Sequence, residues 1–279
     1  MNTRVIGSYD QLLEIVRRER IDQIVIAMPD RRGKLPVEAL LTCKMQGVHV
    51  EDGTTFYEKI SGKIMLENLR PSWMIFSEGF SISPLLRLLK RLGDILLAGL
   101  GLVVAVPLLP VIAMLIKIES RGPAFFTQER VGQNGQLFVL IKFRSMYVDA
   151  EKTTGPVYTD ANDPRITGVG RWLRCTRLDE LPQLLNVLKG EMSFVGPRPE
   201  RPFFVQQYAK EIPYYAQRLS VKPGLTGWAQ VNYPYGATPE DAVEKLRLDL
   251  YYIKNMSLLL DLFILLKTAK IAVLGQGAR

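Results

Sequence analysis

Between Ile95 and Ile116 the chain runs for 22 residues without a charged side chain. Wound as one α-helix, that stretch would reach roughly 33 Å, enough to cross a bilayer core of about 30 Å. A core helix of a soluble domain is the alternative, but such helices usually carry fewer apolar residues and some polar face. The run therefore predicts insertion into a membrane. Spanning is a separate matter. Arg87, Lys90 and Arg91 precede the run and Lys117 and Arg121 follow it, so the positive-inside bias draws both ends toward the cytoplasm. Pro107 and Pro110 fall in its middle, where each removes a backbone donor and bends a helix. These features favour a re-entrant helix hairpin that dips into one leaflet, on condition that the carbonyls freed at the break find partners.

Composition narrows the remaining choices. With 279 residues, 47% hydrophobic and 23% charged, the chain is long enough for one large domain or two smaller ones and apolar enough to bury a core. Thirty-six Lys and Arg against 28 Asp and Glu give a formal charge of +8, which suits nucleic acid, an acidic membrane surface or a phosphorylated substrate. Cys43 and Cys175 are too few for a disulfide framework and read as reduced thiols. The lone His49 excludes a multi-histidine zinc site. The polar opening residues predict no signal peptide.

The fold class predicted is α/β, with an α+β second half. In residues 1–70, a stub at Arg4–Gly7, helical spacing over Tyr9–Arg20 and a buried strand at Ile24–Ala27 are followed by a Pro29-Asp30 turn. A helix over Pro36–Gln46 and a strand at Val48–Glu51 complete a βαβαβ pattern. It resembles part of a Rossmann-like domain, although no G-x-G-x-x-G opens it. Residues 71–84, with Trp73, Phe76 and Phe80 nearby, read as a linker, and 85–121 as the membrane segment. From 122 to 279 a mostly helical module begins with a hairpin, Ala124–Arg130 and Gln136–Arg144 around Asn134-Gly135. A long polar loop runs to about Asp163. The apolar segment Leu258–Leu274, interrupted by Asp261, Lys267 and Lys270, fits an interfacial amphipathic helix or a core helix equally.

Four clusters could carry chemistry. Lys142 and Arg144 alternate at a strand end, so both could face one anion. Arg171, Arg174 and Arg177 at i, i+3 and i+6 form a guanidinium stripe that fits a diphosphate or anionic headgroups. The run from Arg177 to Asn186 places Asp179 and Glu180 near a first helical turn, with Leu178, Leu181, Leu185 and Leu188 on one apolar face and Gly190 as the stop. One of those carboxylates can attack phosphorus while the other holds Mg²⁺; ordinary helix-dipole residues would look alike. Finally, Gly196-Pro197-Arg198-Pro199 presents Arg198 between two prolines, and Lys222 to Trp228 forms a glycine-bearing turn.

In this order the segments resemble the bacterial sugar transferase family, the monotopic polyprenyl-phosphate hexose-1-phosphate transferases or phosphoglycosyl transferases. The matches run from Lys90-Arg91 and Asp94 through Gly122–Gly132, Lys142–Met146, Leu178–Leu184 and Gly196–Pro199 to Pro223–Asn232. The resemblance implies transfer of sugar-1-phosphate from a UDP-sugar to undecaprenyl phosphate with release of UMP, in exopolysaccharide assembly. Asp179 then matches the nucleophile and Glu180 its Mg²⁺-associated partner. Arg174 matches an arginine near that dyad, and Arg198 the nucleotide-sugar side. Lys142, Arg144, Arg177, Pro197 and Pro199 complete the expected substrate-binding set. Also implied are a re-entrant helix broken at Pro107 and Pro110 and a catalytic domain on the cytoplasmic face of the bacterial inner membrane. No nucleic-acid partner is expected, and a homodimer is possible. The chain departs from the family where Val106-Pro107 replaces Ser-Pro and where Tyr233 to Gly236 replaces Gly-Arg-Asn. A membrane glycosyltransferase releasing UDP, or a basic membrane adaptor without turnover, are the rival readings.

Overall fold

A computed structural model describes residues 5–28, 35–67, 69, 74, 76–77, 79–150, 155, 163–233, 236 and 238–274. Two units separate, Met1–Ile75 and Phe76–Arg279, both mixing helices with short strands. The Pro29-Asp30 turn, Trp73 and most of the polar loop before Asp163 lie outside the described residues.

In the first unit, α1 (Leu12–Glu19), β1 (Gln23–Ile26), α2 (Val37–Met45), β2 (His49–Asp52) and α3 (Gly53–Ser61) follow one another. The helical crossover through α2 brings β1 and β2 together in parallel, with Gln23 opposite His49 and Ile26 opposite Asp52. Ile15, Val16, Leu40, Cys43 and Ile64 are buried. Asp52 accepts from the Thr54 N–H at 2.7 Å and so caps α3. The stub expected as a third strand is not one: Val5–Gly7 carry no strand pairing, and Ser8 instead leads into a 3₁₀ turn at Tyr9–Gln11.

The second unit opens with the apolar segment. α4 (Pro84–Ala105) and α5 (Leu108–Glu119) are bent 58° from each other. Ser83 caps α4 and Pro84 occupies its first position, so the helix starts well before the uncharged run. The bend falls at Val106-Pro107, where Pro107 has no N–H for the preceding turn. Pro110 sits inside the first turn of α5, where no intrahelical donor is required, and adds no break. Ala98, Ala105, Ile112 and Ile116 are buried, whereas Leu96, Leu100, Val103, Val104, Val111, Met114 and Ile118 are exposed. One stripe of the pair packs on protein and the other is left apolar and open.

Behind it come β3 (Phe125–Val131), β4 (Leu137–Phe143), α6 (Gly168–Thr176), a 3₁₀ turn (Leu178–Gln183), α7 (Leu184–Lys189) and β5 (Ser193–Val195). Then follow α8 (Pro202–Glu211), a 3₁₀ turn (Tyr215–Ser220), β6 (Gly224–Thr226), α9 (Trp228–Asn232), α10 (Pro239–Lys254) and α11 (Leu258–Val273). β3 and β4 form the expected antiparallel hairpin, with Asn134 and Gly135 in left-handed backbone at its tip. β5 and β6 pair in parallel.

Polar side chains fasten α4 and α5 to this module, three from α4 and one from the exposed end of α5. Lys90 Nζ donates to Asp261 Oδ2 at 2.6 Å, on α11. Arg91 donates to the carbonyls of Val187 and Leu188 at 2.6 and 2.7 Å, at the C-terminus of α7, where a cation also meets the helix dipole. Asp94 Oδ1 accepts from Ser193 Oγ and the Phe194 N–H at 3.0 and 2.9 Å. Glu119 accepts from the N–H groups of Gly168 and Val169 at 2.7 and 2.9 Å, capping α6. Two of the three cations that precede the apolar run, Lys90 and Arg91, are thus engaged with protein. α11 is inverted relative to a soluble helix. Asp261, Ile264 and Thr268 face inward, and Leu259, Leu262, Phe263 and Leu266 face out.

Gly224 sits so close to Gly196 and to the Thr226 carbonyl that a Cβ there would collide with backbone, whereas Gly93, in mid-α4, has nothing near its missing Cβ. Gly224→Ala is expected to cost about 1–3 kcal/mol or more through overpacking. Gly93→Ala is expected to stabilise by about 0.5–1 kcal/mol through helix propensity. Thermal unfolding in detergent checks both, and the two midpoints should move in opposite directions.

Candidate active site

The hairpin supplies the floor. Lys142 projects from the end of β4 over the Phe126 ring, 5.2 Å from its centroid. Burial, the largest influence, lowers its ammonium to about 8, opposed by Asp179 and helped by Arg174, Arg130 and Arg198. Arg144, expected beside it, goes elsewhere. It is buried and donates to the carbonyls of Arg121 and Ser120 at 2.7 and 2.8 Å, so the two cations do not converge on one anion. The carbonyls where α5 ends need donors, and Arg144 is the group in reach.

α6 is pressed against the same strand end. Thr167 N–H donates to the Ser145 carbonyl at 3.1 Å, and only a residue without a side chain fits at Gly170, whose Cβ would strike that carbonyl. The contact carries Arg174 to the site, where its Nε donates to Ser145 Oγ at 2.9 Å. Arg171 is exposed on the same helix. The stripe does not continue to Arg177, which caps α6 in left-handed backbone, φ 57°, and turns the chain. Asp163 pairs instead with Arg165 at 2.6 Å.

After that turn Leu178–Gln183 wind as 3₁₀ helix, and α7 begins only at Leu184. At three residues per turn the phase advances faster than in an α-helix. In consequence Leu184 (6% exposed) faces the core, and Leu185 (40%), expected there, faces out. Buried Asn186 secures the register. Its Nδ2 donates to the Val139 carbonyl at 2.8 Å and its Oδ1 accepts from the Ile141 N–H at 3.2 Å, standing in for a neighbouring strand of β4. Asp179 and Lys142 are thereby held in one electrostatic neighbourhood.

Asp179 is 8% exposed. Burial and the adjacent Glu180 raise its carboxyl from 3.8 to about 6, against the pull of Lys142, Arg174 and Arg198. Burial pushes Glu180 up as well, but the charge and hydrogen bond of Arg198, with Arg177 and Lys142, outweigh it and hold this carboxyl below its usual value. Arg198 Nη2 meets Glu180 Oε1 at 2.8 Å, and nearly half of its side chain is exposed. Pro197 and Pro199 flank it in the loop between β5 and α8. The structure therefore brings together Asp179, Glu180, Lys142, Arg174, Arg177 and Arg198, and leaves Arg144 out. Asn186, Ser145 and Gly170 were not singled out by sequence reasoning, since their partners lie far along the chain.

Chemically, the arrangement is a carboxylate pair of divergent basicity ringed by cations, an environment that can receive a diphosphate and stabilise charge as it shifts. Among the described residues no group of three or more His, Cys, Asp or Glu side chains could hold a metal alone. Two adjacent carboxylates do fit Mg²⁺, which commonly takes one or two protein oxygens and completes its shell with water and substrate phosphates.

A family model described as bacterial sugar transferase matches residues 85–275. The UDP-N-acetylgalactosamine-undecaprenyl-phosphate N-acetylgalactosaminephosphotransferase of Aeromonas hydrophila is 41% identical over 240 residues, 86% of this chain and 56% of that protein. The undecaprenyl-phosphate glucose phosphotransferase of Komagataeibacter xylinus is 36% identical over 286 residues, 98% of this chain and 52% of its own. For the UDP-glucose:undecaprenyl-phosphate glucose-1-phosphate transferase of Escherichia coli K12 the figures are 39% over 269 residues, 94% and 57%. The chain spans little more than half the length of these curated relatives.

The raised Asp179 carboxyl has a stability signature. Above about pH 6 its charge is held against burial and against Glu180, and as pH falls from 6 toward 3.8 protonation relieves that cost. Asp179→Asn should therefore stabilise the protein at pH 8 by on the order of 2 kcal/mol. The gain should shrink as pH falls through 6 and vanish near 4, measured as thermal midpoints across pH.

Proposed function

The chain belongs to the bacterial sugar transferase family, and from that premise we propose that it moves a sugar-1-phosphate from a UDP-sugar to undecaprenyl phosphate. Buried Asp179, set among Glu180, Lys142, Arg174 and Arg198, is the observation that carries this reading. An Asp179 carboxylate oxygen attacks the β-phosphorus of the UDP-sugar in line. The bond from that phosphorus to the bridging oxygen breaks, and UMP departs with the electron pair. The resulting acyl phosphosugar is then attacked at phosphorus by an oxygen of undecaprenyl phosphate. That step returns the Asp179 carboxylate and yields undecaprenyl-diphosphate-sugar.

A carboxyl at about 6 is ionised at neutral pH yet more basic than an ordinary aspartate, which suits a nucleophile that must also be displaced. Arg174 and Arg198 offset the charge that builds on the leaving phosphate. Lys142, poised near 8, supplies further positive charge. Mg²⁺, when bound by Glu180 and Asp179, would neutralise diphosphate oxygens.

The place of action in this proposal is the cytoplasmic face of the bacterial inner membrane, with α4 and α5 as a re-entrant pair. Their 58° bend and open apolar stripe support it, as do Arg87 before the run and Lys117 and Arg121 after it. The first unit fits a partial Rossmann-like domain through its parallel β1–α2–β2 unit, and exopolysaccharide assembly is the setting.

Two experiments test the proposal. UDP-sugars screened with undecaprenyl phosphate in nanodiscs should release UMP. Asp179→Asn should abolish both that release and labelling of the protein by radioactive sugar phosphate. UDP as product would overturn the phosphotransfer, and retained turnover would remove Asp179 as nucleophile. For the membrane pair, single cysteines at Leu85 and Ile118, in a chain lacking Cys43 and Cys175, should both react with a membrane-impermeant maleimide applied from the cytoplasmic side. Reaction of one end only would mean a complete crossing.

A further inference from the structure

Four consecutive carbonyls in the loop that presents Arg198 are held by donors from other segments. Gly224 N–H donates to the Pro197 carbonyl at 2.9 Å, and Val131 N–H to that of Glu200 at 3.0 Å. Arg130 Nη1 donates to the Pro199 carbonyl at 3.0 Å. Arg218 Nη2 donates to the carbonyl of Arg198 itself, also at 3.0 Å. Prolines at 197 and 199 leave this loop few N–H groups of its own, so its acceptors are the handles that fix its path.

Of the two side-chain donors, Arg218 is sealed from solvent. Its Nε and Nη2 meet Asp249 Oδ2 at 3.0 and 2.8 Å, its Nη1 donates to Tyr215 Oη at 3.0 Å, and it lies 5.2 Å from the Tyr215 ring centroid. Asp249 projects from α10 amid buried Leu246, Leu248 and Leu250. Taking such a pair out of water is costly, and apolar side chains of similar volume are often as stable in its place. Stability alone therefore leaves the guanidinium unexplained. Its one contact that leads to the dyad does explain it.

We propose that Arg218, steadied by Asp249, is a positioning residue: it fixes the carbonyl of Arg198 and so aims the guanidinium that grips Glu180. The inference rests on the transferase reading for its consequence in catalysis, and on geometry alone for its effect on the loop. Arg218→Lys keeps a charge for Asp249, but one ammonium cannot serve Asp249, Tyr215 and the Arg198 carbonyl together.

UMP release should then fall roughly 100-fold in kcat/KM, the scale of a misplaced catalytic group. In an Arg198→Ala background, where the loop has no guanidinium to aim, the same change should cost less than about threefold. Equal losses in both backgrounds would overturn the proposal, because Arg218 would then act through the fold at large. The pair Arg218→Met with Asp249→Leu should keep the thermal midpoint within a few degrees of the parent and show the same kinetic loss; full activity in that variant would likewise overturn it. Hydrogen exchange supplies a readout free of turnover. In Arg218→Lys, the amides of Arg198 and Glu200 should exchange roughly tenfold faster while those of α10 stay unchanged. Unaltered exchange at the loop defeats the positioning role even if no UDP-sugar is turned over. Absence of UMP from the parent protein bears on the transferase reading alone.

Discussion

In the membrane setting proposed for α4 and α5, a greasy helix pair can serve an aqueous site only if something stronger than apolar contact fixes it to the module carrying that site, because lipid offers leucine as good a home as protein does. Here four polar side chains do this. Lys90, Arg91 and Asp94 from α4 reach three different elements, and Glu119 at the end of α5 reaches a fourth. Each meets groups that need partners: the Asp261 carboxylate, the last carbonyls of α7, the Ser193 hydroxyl and Phe194 N–H of β5, and the first N–H groups of α6. Small residues finish the fit, with Ala98 and Ala105 buried and Gly101 against Leu184. Arg91 and Asp94 are three residues apart and grip both ends of the Val187–Phe194 stretch, directly downstream of Asp179 and Glu180.

The dyad itself depends on an imbalance. Two neighbouring carboxylates end up with opposite shifts: the charge and hydrogen bond of Arg198 hold Glu180 down, whereas at Asp179 burial and the Glu180 charge outweigh the surrounding cations. Glu180 is committed to the charged form, and its charge together with desolvation makes Asp179 the more basic of the two. Backbone geometry assigns these roles. The left-handed turn at Arg177 and the tight winding after it present successive residues to different surroundings.

Features readable from the sequence were those with local causes. Hydropathy marks the apolar run, Pro107 marks its bend and Asn134-Gly135 marks the hairpin tip, since each acts through its own backbone or its immediate neighbours. Ordered motifs also gathered Asp179, Glu180, Arg174 and Arg198 into one site before any coordinates. What escaped depended on distant partners or on phase. Arg144 alternates correctly with Lys142 but is captured by carbonyls 23 and 24 residues upstream. Leu185 fell on the wrong face because 3₁₀ winding precedes α7. Asn186 needed β4, 45 residues away, and Arg218 needed Asp249, 31 residues away. Nothing near either residue in sequence announces those partners.

The inverted character of α11 bears on how the molecule behaves outside lipid. A helix that tucks its aspartate and threonine inward and turns Leu259, Leu262, Phe263 and Leu266 outward offers water a continuous oily ridge. Stripped of amphiphile, copies of the chain would clump along that ridge and along the open stripe of α4 and α5. Stoichiometries read in sparse detergent would then include adhesion between greasy surfaces.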